Sequence, residues 1–302
     1  MKIEKNIHAA YEEFVNQFRI WAENRSDIRA VIIIGSRART VQPADEWSDL
    51  DLVLVTTDPD RYLLQTDWLN QFGTVRITFL EQIAVGNGKE RRVLFDGALD
   101  VDFVPVTSEF MEELLRHPAG QQMISNGFRI IVDKDCFSDR LTGGSETDLE
   151  WHAPSIEAFD QLVNDFLYHA VWTAKKLRRG EVWVAKWCCD VYMKRQLLQM
   201  LQWHAQPWND ENKAVWHDGR FLESWADRRA LEQLGTTFAR YDQVEVGQAL
   251  LSTLTLFRWL VEETARQLHF PNYCEAIEYT FTLVTTILSD LLPHPDVLNV
   301  DR

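Results

Sequence analysis

Two short apolar runs that enclose a polar segment constrain this chain more than any other stretch. Residues 30–34 (AVIII) and 50–55 (LDLVLV) are short and rich in β-branched side chains, which is typical of buried strands. Asp49 and Asp51 stand at the start of the second run. Side chains at positions i and i+2 of a strand point to the same face. The sequence therefore predicts a sheet in which two carboxylates lie side by side.

The acidic pair and the turn before it predict a site for a metal ion and a phosphate. Two buried like charges need compensation, and carboxylate oxygens are hard ligands that suit Mg²⁺. Gly35 permits an unusual backbone angle, and Ser36 precedes residues 37–39, which we interpret as a helix N-terminus. Helix N-termini bind phosphate. A glycine–serine turn followed by Asp-x-Asp on the next strand resembles the active-site pattern of the nucleotidyltransferase superfamily.

A third carboxylate is expected from a predicted hairpin. Residues 91–95 and 99–106 flank Asp96-Gly97, a dipeptide that is typical of hairpin turns. The second arm carries Asp100 and Asp102, and neighbouring strands lie about 4.8 Å apart. One of these two side chains can therefore meet the acidic pair across the sheet.

The remaining hydrophobic pattern predicts an α+β protein with two domains. A mixed β-sheet domain with flanking helices occupies residues 1–137, a linker follows at 138–154, and an α-helical bundle occupies 155–302. The other predicted elements of the first domain are helices 5–23, 60–72 and 108–125 and strands 74–80 and 129–132. The bundle is predicted to contain a long helix from residue 156 and helices at 181–204, 220–233, 246–268 and 274–292.

Composition and charge narrow the class of protein. No apolar run reaches the ~18 residues of a membrane span, and no secretory signal is visible, so we expect a cytoplasmic protein without a membrane partner. The formal net charge of −15 argues against a nucleic-acid partner, which needs a basic surface. It favours a small cationic substrate in an acidic cleft. A protein whose acidic residues serve only solubility would have the same net charge. The four cysteines lack metal-ligand spacing and are expected to be reduced.

Nine segments spread over most of the chain match one family. They are IIIGSRA at 32–38, DLDLV at 49–53, DWLNQFG at 67–73, VLFDG at 93–97, VDFVPV at 101–106, VDKDC at 132–136, APS at 153–155, AKKLRRGEVWVAK at 174–186 and LLQMLQWH at 197–204. By these segments the chain resembles the aminoglycoside 6-adenylyltransferases, the enzymes that inactivate streptomycin. The segment DWLNQFG has no obvious catalytic content, so it indicates this subfamily rather than nucleotidyltransferases at large.

The resemblance implies that AMP is transferred from ATP to a hydroxyl of the antibiotic and that pyrophosphate is released. The preferred candidate for the acceptor is the 6-hydroxyl of streptomycin, and the implied cofactor is Mg²⁺. The resemblance also implies a nucleotidyltransferase-type sheet domain, a helical domain and a site in the cleft between them. By position, Asp49 and Asp51 match the metal-binding pair, and Gly35-Ser36 matches the phosphate-contacting turn. Asp102 matches the third carboxylate, as general base or as ligand of a second metal, and Asp100 stays an alternative.

Further candidates would bind the nucleotide and the antibiotic. Phosphate charge requires basic side chains, although each of them could also lie on a solvated surface. The basic candidates are Arg37, Arg39, Lys175 and Lys186. The guanidinium groups of the antibiotic favour carboxylates and aromatic faces. The candidates for this role are Glu81, Asp96, Asp100 and Glu181. Trp183 and Trp187 are candidates for lining a cleft. The other tryptophans of the bundle are expected to pack in its core.

Three hypotheses about function follow. The first is an aminoglycoside 6-adenylyltransferase that is a monomer or a weak homodimer. The second is a nucleotidyltransferase that modifies another small molecule, such as a lincosamide, or a protein. The third is a protein of this fold that binds nucleotide without transferring it. Intact Asp49, Asp51 and Asp102 argue against the third, because a degenerate member is expected to lose a carboxylate.

Overall fold

A mixed sheet of six strands forms the centre of the first unit in the described part of the chain. The computed structural model describes residues 7–40, 42–83, 88–141, 153–206 and 217–292. The chain divides into two units, residues 1–150 and 151–302. The strands are β1 (Ile28–Ile34), β2 (Leu50–Thr56), β3 (Val75–Gln82), β4 (Lys89–Phe95), β5 (Asp100–Val106) and β6 (Arg129–Asp133).

The strand order places β2 and β5 side by side at the centre of the sheet. The order is β3-β4-β5-β2-β1-β6. The predicted hairpin is present as the antiparallel pair of β4 and β5. The pairing of β2 with β5 is parallel, whereas the other neighbours are antiparallel. The predicted α+β class is therefore confirmed.

Helices and apolar packing cover both faces of the sheet. The helices of this unit are α1 (Ile7–Glu23), α2 (Pro59–Leu64), α3 (Ser108–Arg116), α4 (Pro118–Ser125) and α5 (Phe137–Leu141). Alternate residues of β1 and β2 enter two different apolar clusters, one on each face. Burial on both faces explains why these two strands read as almost continuous apolar runs. Residues 138–141, which the sequence analysis assigns to the linker, continue α5.

The apolar stripe of α1 packs on one face of the sheet, as its spacing predicts. Phe18 is fully buried, and its ring centroid lies 5.0 Å from that of Phe72 and 5.5 Å from that of Phe103 on β5. The ring centroid of Phe14 lies 5.4 Å from that of Phe95 on β4. These ring contacts join the first helix to the two strands of the hairpin, so α1 supports the strand that carries the third carboxylate.

Two predicted helices of the first unit are interrupted. The predicted helix 108–125 is divided into α3 and α4, because His117 precedes Pro118 and has extended backbone angles. The predicted helix 60–72 is divided into α2 and the 3₁₀ helix Asp67–Gln71, with an extended Gln65 between them.

The second unit is helical throughout its described residues. Its helices are α6 (Ile156–Arg178), α7 (Val182–Trp187), α8 (Met193–Ala205), α9 (Leu222–Trp225), α10 (Arg228–Leu234), α11 (Gln243–Gln267) and α12 (Cys274–Leu288). A single apolar cluster joins them, and the rings of Phe166 on α6 and Phe257 on α11 stack at its centre. Among the described residues, no helix combines the length and the hydropathy that a membrane span requires.

The helices of the second unit differ from the prediction in two places. The predicted helix 181–204 contains a π-helical turn at Cys188–Tyr192 between α7 and α8. The predicted helix 220–233 is divided, because Asp227 caps a new helix and its side chain accepts a hydrogen bond from the Arg229 N–H at 2.7 Å. The predicted connection before it lies largely outside the described residues.

Phe18→Ala is expected to lower the free energy of unfolding of the first unit by about 3–5 kcal/mol, because it leaves a cavity among aromatic rings. Urea denaturation followed by circular dichroism measures this loss. The control is Ile20→Ala on the same helix, whose side chain is 47% exposed and whose loss is expected to be small. Equal losses in the two variants would contradict the packing described for α1.

Candidate active site

Three carboxylates meet at the edge where β2 and β5 begin. In the parallel pairing of these strands Asp51 lies opposite Asp102, and Asp49 immediately precedes β2. One oxygen from each of the three carboxylates lies within 4.8 Å of the other two. Asp102 is only 3% exposed, whereas Asp100 is exposed and is not part of this group. The structure brings together the carboxylates that the resemblance selects, and their catalytic roles stay predictions.

The crowding of these carboxylates changes their acidity. Burial, together with the charges of Asp49 and Asp102, raises the pKa of Asp51 to about 7. Burial also raises the pKa of Asp102 to about 7, although the neighbouring Arg92 cation opposes this change. Each of the two groups therefore keeps its proton to a higher pH than an aspartic acid in water.

The donor set fits a divalent cation. The buried Oδ1 atom of Asp102 has no hydrogen-bond partner among the described residues, and an unpaired buried oxygen is costly. Three converging carboxylates provide hard oxygen ligands, which suit Mg²⁺ or Mn²⁺. A cation between them would satisfy the unpaired oxygen and remove the repulsion. These residues are therefore suited to the metal that the resemblance implies.

Gly35 leaves the space that Asp51 occupies. It has a φ of +70°, which residues with a side chain rarely adopt, and a Cβ atom at this position would lie 2.2 Å from Asp51 Oδ2. The predicted helix N-terminus after it is wrong, because Gly35–Arg37 form only a short 3₁₀ turn. The Ser36 carbonyl accepts a hydrogen bond from the Ala44 N–H at 2.9 Å. The chain therefore loops back instead of continuing as a helix.

Ser36 is the polar side chain of this turn that is suited to a ligand. Its hydroxyl oxygen is buried and makes no hydrogen bond to any residue that the structure describes. A buried hydroxyl without a partner costs stability until a ligand pairs with it. A phosphate contact here would involve this hydroxyl and the N–H groups of the turn, and no helix dipole.

Arg37 makes internal contacts, and its role as a nucleotide ligand stays a prediction. Its Nη2 donates a hydrogen bond to the Ser48 carbonyl at 2.6 Å, and its Nε donates to the Asp49 carbonyl at 2.9 Å. The guanidinium also lies 3.5 Å from the centroid of the Tyr11 ring. These contacts occupy the cation and hold the backbone that carries Asp49.

Tyr11 on α1 is a residue of the site that the sequence analysis missed. Its hydroxyl accepts a hydrogen bond from the Asp100 N–H at 2.9 Å and donates to the Asp100 carbonyl at 3.3 Å. Together with the stacked Arg37, it connects the starts of β2 and β5. Its place in the apolar stripe of α1 predicts burial, but it carries no signal for this hydrogen bond.

Arg92 and Glu90 on β4 were also missed. Arg92 stands opposite Asp102 in the β4–β5 pair, with its Nη2 3.4 Å from Asp102 Oδ2. Its Nε donates to Glu90 Oε1 at 2.8 Å. The sequence contained a signal for this contact. Charged residues at alternate positions of a strand share one face, and the hairpin turn sets which residue of β5 lies opposite each of them.

The remaining candidates of the first unit form pairs of their own. Asp96 pairs with Arg76 at 3.1 Å, and Glu81 pairs with Arg92 at 2.8 Å. The Arg39 Nε donates to the Gln42 carbonyl at 2.6 Å. These contacts do not place Asp96, Glu81 or Arg39 in the cluster of three carboxylates.

The candidates of the second unit lie on α6, on α7 and between them. Glu181 pairs with Lys176 at 2.8 Å and with Arg179 at 2.7 Å. Lys186 pairs with Asp190 and also donates to the Ala239 carbonyl. Lys175 is exposed on α6. Trp183 and Trp187 are 72% and 53% exposed, so they do not pack in the core.

Comparison with known proteins identifies the family. A family model described as streptomycin adenylyltransferase matches residues 9–281. The chain belongs to this family. The match includes the three carboxylates and continues through most of the second unit. The resemblance predicted from the sequence is confirmed, and the chain is a nucleotidyltransferase.

Curated relatives in the family match almost the whole chain. An aminoglycoside 6-adenylyltransferase of Bacillus subtilis is 23% identical over 279 residues, which cover 89% of this chain and 96% of the relative. One of Campylobacter jejuni is 24% identical over 287 residues, which cover 92% and 94%. A crystal structure of an aminoglycoside 6-adenyltransferase from Bacillus subtilis is 19% identical, covers 91% of this chain and 98% of that chain, and has a TM-score of 0.41.

Gly35→Ala is expected to lower the melting temperature and to abolish its increase on addition of MgCl₂, because the new Cβ displaces the Asp51 carboxylate. The matched control is Gly180→Ala. Gly180 has a φ of +74°, but nothing lies within 4 Å of its Cβ position, so only the backbone strain is added. Thermal unfolding with and without MgCl₂ compares them. An equal response to MgCl₂ in both variants would contradict the role of Gly35.

Without divalent metal, the free energy of unfolding is expected to fall as the pH rises from about 4 to about 7. In this range the unfolded chain releases protons that Asp51 and Asp102 retain in the folded state, where their pKa is about 7. Deprotonation therefore favours unfolding. Asp51→Asn cannot titrate and is expected to show a shallower fall in melting temperatures measured with EDTA. Parallel pH profiles for the two proteins would be evidence against the raised pKa.

Proposed function

We propose that this protein transfers AMP from ATP to a hydroxyl group of an aminoglycoside. The preferred candidate for this acceptor is the 6-hydroxyl of streptomycin. The observation that carries the proposal is the convergence of Asp49, Asp51 and Asp102 in a chain of the streptomycin adenylyltransferase family. The names of the relatives from Bacillus subtilis and Campylobacter jejuni support the same class of acceptor.

The three carboxylates would hold Mg²⁺ at the starts of β2 and β5. When bound, divalent metal would neutralise phosphate charge and stabilise the attacking and leaving oxygens. Asp49 and Asp51 provide ligands from the same strand start. Asp102 either accepts the proton of the acceptor hydroxyl or completes the ligand set. Gly35 keeps the space next to Asp51 free for this arrangement.

The proposed nucleotide ligands differ in how their side chains are paired within their own units. In the first unit, the Ser36 hydroxyl is buried without a partner among the described residues and would pair with a phosphate oxygen. In the second unit, Lys175 is exposed and can contact a phosphate directly. Lys186 is paired with Asp190 and would exchange this carboxylate for phosphate.

The acidity of the protein supports a cationic acceptor. A net charge of −15 attracts an antibiotic that carries guanidinium groups. Glu81, Asp96 and Glu181 already pair with basic side chains, so each would exchange one cation for another. Asp100 is exposed and forms no ion pair within the described residues. We therefore favour Asp100 as the acidic contact for the acceptor.

Transfer is tested with purified protein, ATP, MgCl₂ and either streptomycin or kanamycin. We expect pyrophosphate release and a streptomycin product heavier by one AMP, and no kanamycin product. Asp51→Asn is expected to lower kcat by at least about 10²-fold, because a neutral amide is a poor metal ligand. The control is Asp67→Asn, the same change at an exposed carboxylate, which is expected to leave kcat unchanged.

Two results would overturn this proposal. AMP found on kanamycin but never on streptomycin would show a different acceptor within the class. Binding of ATP without pyrophosphate release, whatever the acceptor, would indicate a member of the fold that does not transfer the nucleotide.

A further inference from the structure

Arg92 approaches the carboxylate group from the strand next to Asp102. The register of β4 and β5 sets the two residues opposite each other, and the Arg92 Nη2 lies 3.4 Å from Asp102 Oδ2. The Asp102 side chain is 4% exposed, whereas that of Arg92 is 42% exposed. A partly exposed cation therefore contacts a carboxylate that is itself almost fully buried.

Two glutamates contact the Nε atom of the Arg92 guanidinium. Its Nε donates a hydrogen bond to Glu90 Oε1 at 2.8 Å and lies 2.8 Å from Glu81 Oε2. Glu90 is two residues away on the same strand, and Glu81 stands opposite Glu90 on β3. Because Nε is anchored on one side, Nη2 is directed toward Asp102.

The two oxygens of Asp102 have different surroundings. Oδ2 is the atom that faces Arg92, whereas Oδ1 is buried and has no hydrogen-bond partner among the described residues. The terminal torsion of an aspartate is broad and only weakly restricted by its own rotamer. A contact to one oxygen therefore restricts where the other oxygen points, and here Oδ1 is the oxygen that has no partner among the described residues.

We propose that Arg92 is a positioning residue for the AMP transfer: it holds Oδ2 of Asp102, so that Oδ1 faces the other two carboxylates. This inference rests on the proposed function for its effect on the reaction. Arg92 acts on Asp102 and touches neither substrate. Glu90 and Glu81 keep the guanidinium in place, and its planar fork contacts carboxylates through two different nitrogens, which a lysine ammonium cannot do.

A double-mutant cycle in kcat tests the path through Asp102. Arg92→Gln is expected to lower kcat by about 10- to 100-fold, as misplacement of a catalytic group does, with little change in the KM for ATP. In the Asp102→Asn background the same change is expected to have almost no further effect, because the group that it positions is already absent. Arg92→Lys keeps the charge without the fork and is expected to lose most of the same activity.

A second cycle uses unfolding without metal or substrate, so it does not depend on the reaction. The urea midpoint is measured at about pH 8.5, where the Asp102 carboxylate is charged, and it is expected to fall in Arg92→Gln because this carboxylate loses its cation. In the Asp102→Asn background the fall is expected to be smaller. The control is Arg29→Gln on β1, which removes an arginine paired with Asp135 in the same sheet. Arg29→Gln is expected to lower the urea midpoint equally in both backgrounds and to leave kcat unchanged.

Several outcomes would overturn the inference. Equal kcat losses from Arg92→Gln with and without Asp102→Asn would show that Arg92 acts elsewhere, for example on a phosphate. Wild-type kcat in Arg92→Lys would show that charge alone is sufficient. Equal shifts in urea midpoint in both backgrounds would show no coupling to Asp102. If the wild-type protein adenylylates no aminoglycoside, the proposed function fails, and the unfolding cycle still decides whether Arg92 acts on Asp102.

Discussion

The crowding of three carboxylates at one edge of the sheet is the constraint on which the rest of the site depends. Parallel pairing of β2 with β5 sets Asp51 against Asp102, with Asp49 beside them. Burial and mutual repulsion raise the pKa of two of these groups to about 7. Such an arrangement disfavours the folded state until a proton or a cation compensates it. We interpret the lower stability that this cluster causes as the cost of the proposed metal binding and nucleotidyl transfer.

The neighbours of the cluster hold it in place from three directions. Tyr11 and Arg37 attach the backbone at the starts of both central strands. Gly35 leaves room for the Asp51 carboxylate. Arg92 approaches from β4 and supplies the cation next to Asp102. Because these contacts come from a helix, a turn and a neighbouring strand, the carboxylates depend on the packing of the whole first unit.

Most of the fold follows from local patterns. The strands around 30–34 and 50–55 and the hairpin at Asp96-Gly97 are predicted correctly, since their signals depend on residues only a few positions apart. The break at Pro118 also had a local signal, because a residue before proline avoids helical backbone angles. The π-helical turn at Cys188–Tyr192 had no such signal, since the packing of side chains around the helix decides where its hydrogen-bonding pattern shifts.

The sequence by itself determined that Asp49 and Asp51 share a face, because side chains along a strand alternate with a period of two. The same period makes Asp100 and Asp102 equivalent, and only the pairing of β5 with β2 decided that Asp102 enters the cluster. The contact of Tyr11 with Asp100 joins residues 89 positions apart. The packing of helices on the sheet selects such partners, and no pattern of neighbouring residues specifies them.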